Sequence, residues 1–315
     1  MSNVNDVAAT NWRETDPSVV ERLVKGAIDL HCHSGPSVMP RYFTHYEAMQ
    51  EASDAGLRAI LIKDHYYSAT PTTEMLNKHF KHLGVKLLSG VPLNNQSGGL
   101  NIYAVEHGIA LGARMIWMPT FASANHIRHH HQDADFQFPK ARKKMLEPKP
   151  LTVVDEQGRL LPEVLPILDM IAEHDVVLSS GHLHISEIWP LFEEARRRGV
   201  SRMICNHPTY VIDATNEDIK TLASMGVYLE HSMCMFAENS KFRFYEPPIL
   251  DGLIKAGTVD KTILGSDLGQ VGNPRVVDGF KSVISMCLDL GYSESDVRKM
   301  VSTNAANLIG LEADE

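Results

Sequence analysis

The chain has 315 residues, with 30 Lys+Arg against 39 Asp+Glu for a net charge of −9, and is 43 % hydrophobic and 22 % charged. That apolar content excludes a disordered chain, and 21 Gly, 16 Pro and four Cys exclude a collagen-like or disulfide scaffold. The negative balance argues against a nucleic-acid partner, which needs a basic field, and no window reaches the ~18 consecutive apolar residues of a membrane span.

Residues 1–26 read as an N-terminal extension, polar from Met1 to Thr10 without the apolar core of a signal peptide, and with one helix over Pro17–Lys25. Residues 27–315 read as one barrel domain. Short apolar runs over Ala27–Leu30, Arg58–Ile62, Val85–Ser89, Arg114–Met118, Val176–Ser180, Arg202–Cys205, Val227–Glu230 and Thr262–Gly265 predict strands. Between them, amphipathic stretches predict helices over Thr44–Ala55, Thr73–His82, Ile102–Leu111, Glu163–His174, Ile185–Arg198 and Asn216–Ser224. Gly56, Gly84, Gly112, Gly199 and Gly226, each just before a strand, repeat the helix C-cap signal. Eight β-then-α units are the pattern of an α/β (β/α)8 TIM barrel, with an open doubly wound sheet as the competing arrangement. Residues 120–162, after the fourth strand, read as a long lid or insertion loop, with His129–His131 as a solvated tract and lid contact as its rival. Cys32, Cys205, Cys234 and Cys287 are far apart, lack CxxC spacing and read as reduced thiols of a cytoplasmic protein.

The strongest local signal is Asp29-Leu30-His31-Cys32-His33 at the end of the first strand. Residues i and i+2 of a strand share a face, so His31 and His33 can grip one ion. Other strand ends run into Ser180-Gly181-His182-Leu183-His184, Cys205-Asn206-His207-Pro208 and Gly265-Ser266-Asp267. In a parallel barrel all strand C-termini open on one face. His31, His33, His182, His207 and Asp267 therefore converge, a donor set suited to Zn²⁺ or a similar divalent ion. His184 is the alternative to His182, and Glu230-His231 at the seventh strand end can add a further polar wall.

These residues resemble the amidohydrolase superfamily of metal-dependent hydrolases, in the HxH after strand one, the His after strands five and six, and the Asp after strand eight. The tail Ser302–Leu311 resembles that superfamily's closing helix. Lys63-Asp64-His65 and Trp117-Met118-Pro119-Thr120 further resemble a small, uncharacterised bacterial subgroup of such hydrolases. The resemblance implies one or two divalent ions, Asp267 as acid and base, and His207 holding a second ion or the nucleophilic water. It also implies a homo-oligomer. Two-metal members carry a bridging Lys or Glu on strand four, and here that strand ends Met118-Pro119-Thr120. Lys63, sharing strand parity with His65, is the substitute bridge if carboxylated; otherwise it orients substrate or the site holds one metal. Arg41 can clamp a substrate carboxylate or form a surface ion pair. His65, Tyr66, His126 and Gln270 are candidate specificity residues on the same face.

The function expected is hydrolysis of an amide, cyclic amide, lactone or ester of a small molecule by a metal-activated water. The alternatives are a phosphoesterase or TatD-like nuclease, disfavoured by the missing strand-four Glu, and a metal-dependent decarboxylase or deaminase. The HxxE spacing of His184-Ile185-Ser186-Glu187 keeps deamination open. A non-catalytic metal-binding protein would not need the accompanying carboxylate.

Overall fold

Eight parallel strands run in sequence order around the molecule in a computed structural model, which describes residues 16–132 and 141–311. They are β1 (Ile28–Cys32), β2 (Ala59–Ile62), β3 (Lys86–Pro92), β4 (Met115–Trp117), β5 (Val177–Ser179), β6 (Met203–Asn206), β7 (Tyr228–Ser232) and β8 (Thr262–Gly265). Helices α1 (Pro17–Val24), α2 (His45–Asp54), α3 (Thr70–His79), α4 (Ile102–Ala110), α5 (Ala124–Gln132) and α6 (Val164–Glu173) precede β5. After it come α7 (Ile185–Arg197), α8 (Asn216–Ser224), α9 (Pro247–Gly257), α10 (Val276–Asp289), α11 (Glu294–Arg298) and α12 (Asn304–Ile309). The ring closes where Asp267 N–H donates to His31 C=O at 2.7 Å and His33 N–H to Leu268 C=O at 2.8 Å. This is the (β/α)8 barrel, and the open sheet is excluded.

Strand alternation divides the core in two. Inward residues such as Ile28, Leu61, Leu88, Met115, Trp117, Ile204 and Ile263 fill the barrel, and Ala305, Leu308 and Ile309 of α12 plug its N-terminal end. Outward residues such as Ile60, Leu87, Ile116 and Leu264 pack under the helices. With the bottom sealed by apolar side chains, the polar inward positions are left at the opposite end.

The predicted C-cap glycines Gly56, Gly84, Gly112, Gly199 and Gly226 all take positive φ. The 120–162 connection is not a plain loop: α5 occupies Ala124–Gln132, so His129 and His130 stand on a helix and not in a solvated loop. His131 lies in the same helix, and Pro139 falls outside the described residues. The later part of the connection is tied down by a Ser123–Leu151 bridge and by Glu187 of α7, which accepts from Val153 N–H at 3.1 Å.

Gly269, at the closing corner, sits at φ +119°, and a Cβ there would lie 1.7 Å from the His33 carbonyl oxygen. Gly269→Ala is expected to cost about 3 kcal/mol or more from backbone strain plus overpacking. Urea unfolding measures it, and an unchanged midpoint would mean that this corner relaxes freely.

Candidate metal centre

The site begins with an irregularity in β1. Asp29 pairs with Ile60 but Cys32 pairs with Ile62, so β1 carries one extra residue. Ile28 and Leu30 lie inside the barrel and Cys32 outside it. An unbroken alternation from Ile28 would turn His31 and His33 outward; the bulge re-aims both into the barrel mouth. Asp29 braces the distortion: its Oδ1 accepts from His31 N–H at 3.0 Å and Ser266 N–H at 2.9 Å, and its Oδ2 from Ser266 Oγ at 2.5 Å.

Each imidazole is then fixed by what its Nδ1 meets. The Nδ1 of His33 lies 2.8 Å from the Lys63 carbonyl oxygen, an acceptor only, so Nδ1 carries the hydrogen and Nε2 presents a lone pair. The Nδ1 of His31 lies 2.9 and 3.1 Å from the two Glu230 oxygens, which fixes that proton in the same way. Asp267 Oδ1 stands 3.0 Å from His33 Nε2 and 3.3 Å from His31 Nε2. Among the described residues, His31, His33 and Asp267 each offer a ligand atom within 4.8 Å of the others. Three acceptors facing one another repel unless a cation lies between them, and this donor set fits a divalent ion. Burial and the charge of Arg41 hold His33 neutral, with a pKa lowered to about 3.

Lys63 leans into the same group, with Nζ 2.9 Å from His31 Nε2 and 5.9 Å from the Trp117 ring centre. It is fully buried, and burial pushes its ammonium down while Asp267 and Glu230 pull it up. His207 carries its proton on Nδ1, which donates to Tyr210 C=O at 3.2 Å and leaves Nε2 free; burial lowers its pKa to about 4. Asp267 and His207 both take positive φ, at 50° and 29°, backbone strain of the kind stored at functional sites.

Of the predicted ligands, His31, His33 and Asp267 form the compact triad among the described residues. His182 and His207 line the same cavity, their rings 4.9 Å apart, but stand outside the compact triad. The Nδ1 of His182 lies 2.9 Å from Nδ1 of His126, one donating to the other. His126 therefore supports His182 from behind, on α5, and does not line the cavity. Ser123 and Asn125 hold the His182 carbonyl at 3.0 and 3.2 Å, so the segment after β4 positions this histidine. His184 caps α7, accepting from Ser186 N–H at 3.2 Å. His65 lines the cavity, with its Nδ1 3.0 Å from Thr120 Oγ1 and its ring stacked on Phe121. Tyr66 is not part of the lining; its backbone N–H caps Asp64 Oδ1. Gln270 lines the cavity and donates to the Asp267 carbonyl at 2.9 Å.

Glu230 proves to be a floor and not a wall. It is fully buried and accepts from His31, from Asn206 Nδ2 and from Ser232 Oγ. Gly265 makes its room, since a Cβ there would lie 3.0 Å from the carboxylate carbon. His231 sits one residue on, with the opposite strand parity. Arg41, Met39, Phe242 and Phe244 also line this mouth cavity.

The solved structures that resemble this barrel share its fold. An amidohydrolase from Pseudomonas aeruginosa is 13 % identical, with a TM-score of 0.62 over 94 % of this chain and 98 % of the other. The probable dipeptidase PvdM from Pseudomonas aeruginosa is 10 % identical, with a TM-score of 0.63 over 93 % and 97 %. A 2,6-dihydroxybenzoate decarboxylase from Rhizobium is 12 % identical, with a TM-score of 0.53 over 91 % and 99 %. No curated protein matches the sequence. A family model matches residues 26–230, from the turn before β1 to Glu230 itself, and the chain belongs to that family of unknown function, DUF6282.

Proposed function

We propose that the protein is a metal-dependent hydrolase of a small-molecule amide, cyclic amide, lactone or ester. The observation that carries this reading is the convergence of His31 Nε2, His33 Nε2 and Asp267 Oδ1, with both imidazole protons committed elsewhere. His31, His33 and Asp267 would hold the ion, which supplies a nucleophilic water at neutral pH and polarises the bond under attack. Asp267, with 16 % of its side chain exposed, takes the proton from water and returns it to the leaving group. His207, through its free Nε2, and His182 border the reacting volume and hold the water or a second ion. Solved barrels named an amidohydrolase and a decarboxylase share the fold, so the reaction is decided by assay. A panel of ester, lactone, amide and phosphodiester probes should show turnover on one of the first three. Release of carbon dioxide, release of ammonia from an amino-substituted carbon instead of from an amide, or turnover of the phosphodiester alone would replace this reading.

Lys63 is the residue on which the number of ions turns. Its position against His31 supports the reading that it is carboxylated and bridges two ions; the neutral amine that burial favours is the form that combines with carbon dioxide. Metal-free protein reconstituted with zinc should then take up about two equivalents with bicarbonate present and about one in its absence. A ¹³C carbamate resonance should appear with labelled bicarbonate. The same uptake under both conditions, with no such resonance, leaves Lys63 an unmodified side chain beside a single ion.

A further inference from the structure

We infer that the substrate is a carboxylate borne on a flat apolar ring, and that Arg41 is the residue that selects it. This deepens the hydrolase reading and rests on it for the location of the reacting bond. Two guanidinium nitrogens of Arg41, Nε and Nη2, are buried without a hydrogen-bond partner although the residue lines the cavity. A buried unpaired guanidinium is costly, and because Arg stays charged it needs an anion that reaches both nitrogens. A carboxylate matches that fork.

The position is built and not accidental. The loop after β1 runs against the loop after β8, with Arg41 paired to Gln270 as an antiparallel bridge and Tyr42 N–H donating to Gly269 C=O at 2.9 Å. The same corner carries Asp267, so the guanidinium and the triad are mounted on one rigid piece. Burial lowers the Arg41 pKa, and Asp64 and Asp267 oppose it only in part. Asp64 Oδ2 is itself buried without a partner, so the guanidinium is not neutralised by a direct ion pair. Lys63, another basic side chain in the lining, is engaged with His31. Facing these charges is an aromatic wall: Phe244 stacks on Tyr210 at 5.4 Å and 14°, with Phe242 beside it, and Phe121 lies across His65. A cavity with one charged anchor and aromatic walls fits a flat ring that carries a carboxylate.

Calorimetric titration of benzoate, benzamide and acetate into the full-length protein, both zinc-loaded and chelator-stripped, tests this. Benzoate should bind about 10- to 100-fold more tightly than benzamide, the range expected for charge-assisted hydrogen bonds, and more tightly than acetate by a similar factor. Arg41→Met should bring benzoate down to the benzamide level while zinc content stays unchanged, and Arg41→Lys should fall between. Equal binding of benzoate and benzamide by the wild-type protein, which needs no variant, overturns the inference. So does benzoate binding that survives Arg41→Met but vanishes when zinc is stripped, because the carboxylate then sits on the ion. Binding that follows Arg41 in a protein that hydrolyses none of the probe bonds would leave this inference standing and remove the hydrolase reading.

Discussion

Asparagine in place of Asp267 is expected to lower kcat by about 10²–10⁴-fold, the range that positioned acid–base groups supply, while the barrel stays folded. The second half of the expectation is the more discriminating. Asp267 Oδ1 faces the Nε2 lone pairs of His31 and His33 at 3.3 and 3.0 Å, which is repulsive when no cation lies between. An amide keeps the carboxylate's shape but offers an N–H that can donate to one of those nitrogens. Metal-free Asp267→Asn should therefore melt no lower than metal-free wild type, while its affinity for zinc falls. Thermal melts with and without metal, paired with kcat, read all three quantities. Full activity in the variant would take Asp267 out of the proton-transfer role. A large loss of stability in the metal-free variant would mean that the carboxylate holds the fold and not an ion.

The barrel was legible because its signals are local and repeated. Eight aliphatic runs and five glycines at helix ends each mark a place in the chain, and the ring follows from their order. Boundaries drifted where tertiary pairing overrides local pattern: β3 runs on through Gly90 to Pro92, where Gly90 admits the Trp117 ring. Helices α9 and α10 were not among the predicted elements, although Pro247 and Pro248 at the start of α9 are a helix-initiating signal. At the site, the histidines and Asp267 were legible as strand-end residues. The orientation of His31 and His33 was not, because strand parity shows that two side chains share a face without showing which, and a bulge decides it. From sequence Glu230 reads as a wall and not as the partner of His31 for a related reason. Nothing within β7 shows that Gly265 of the neighbouring strand leaves a hollow for its carboxylate. His126 reads as a loop residue because α5 lies in a strongly polar, His-rich stretch, and only the fold reveals that it backs His182.

Removal of metal is expected to abolish turnover and to lower the melting temperature, with both restored by adding the ion back. An ion that binds only the native state stabilises it by RT ln(1 + [L]/Kd), about 4 kcal/mol at a thousandfold excess over Kd, or roughly 6 °C for a chain of this size. The origin of that stabilisation can be localised. Glu230 commits the His31 proton to Nδ1 and the Lys63 carbonyl commits the His33 proton to Nδ1, so the folded chain is arranged in advance with its acceptors converging. Glu230→Gln replaces the acceptor that fixes the His31 ring with an amide whose N–H can oppose it. It should weaken zinc binding by about 10–100-fold, as loss of a partner behind a ligating histidine does, without touching a ligand atom. The Glu230→Gln protein should consequently lose most of the metal-dependent part of the melting shift at limiting zinc and regain it at high zinc. A chelator-treated preparation that contains no ion and retains full activity would defeat the metal reading outright. A Glu230→Gln protein with wild-type zinc affinity would show instead that His31 finds its ligating orientation without help from the barrel floor.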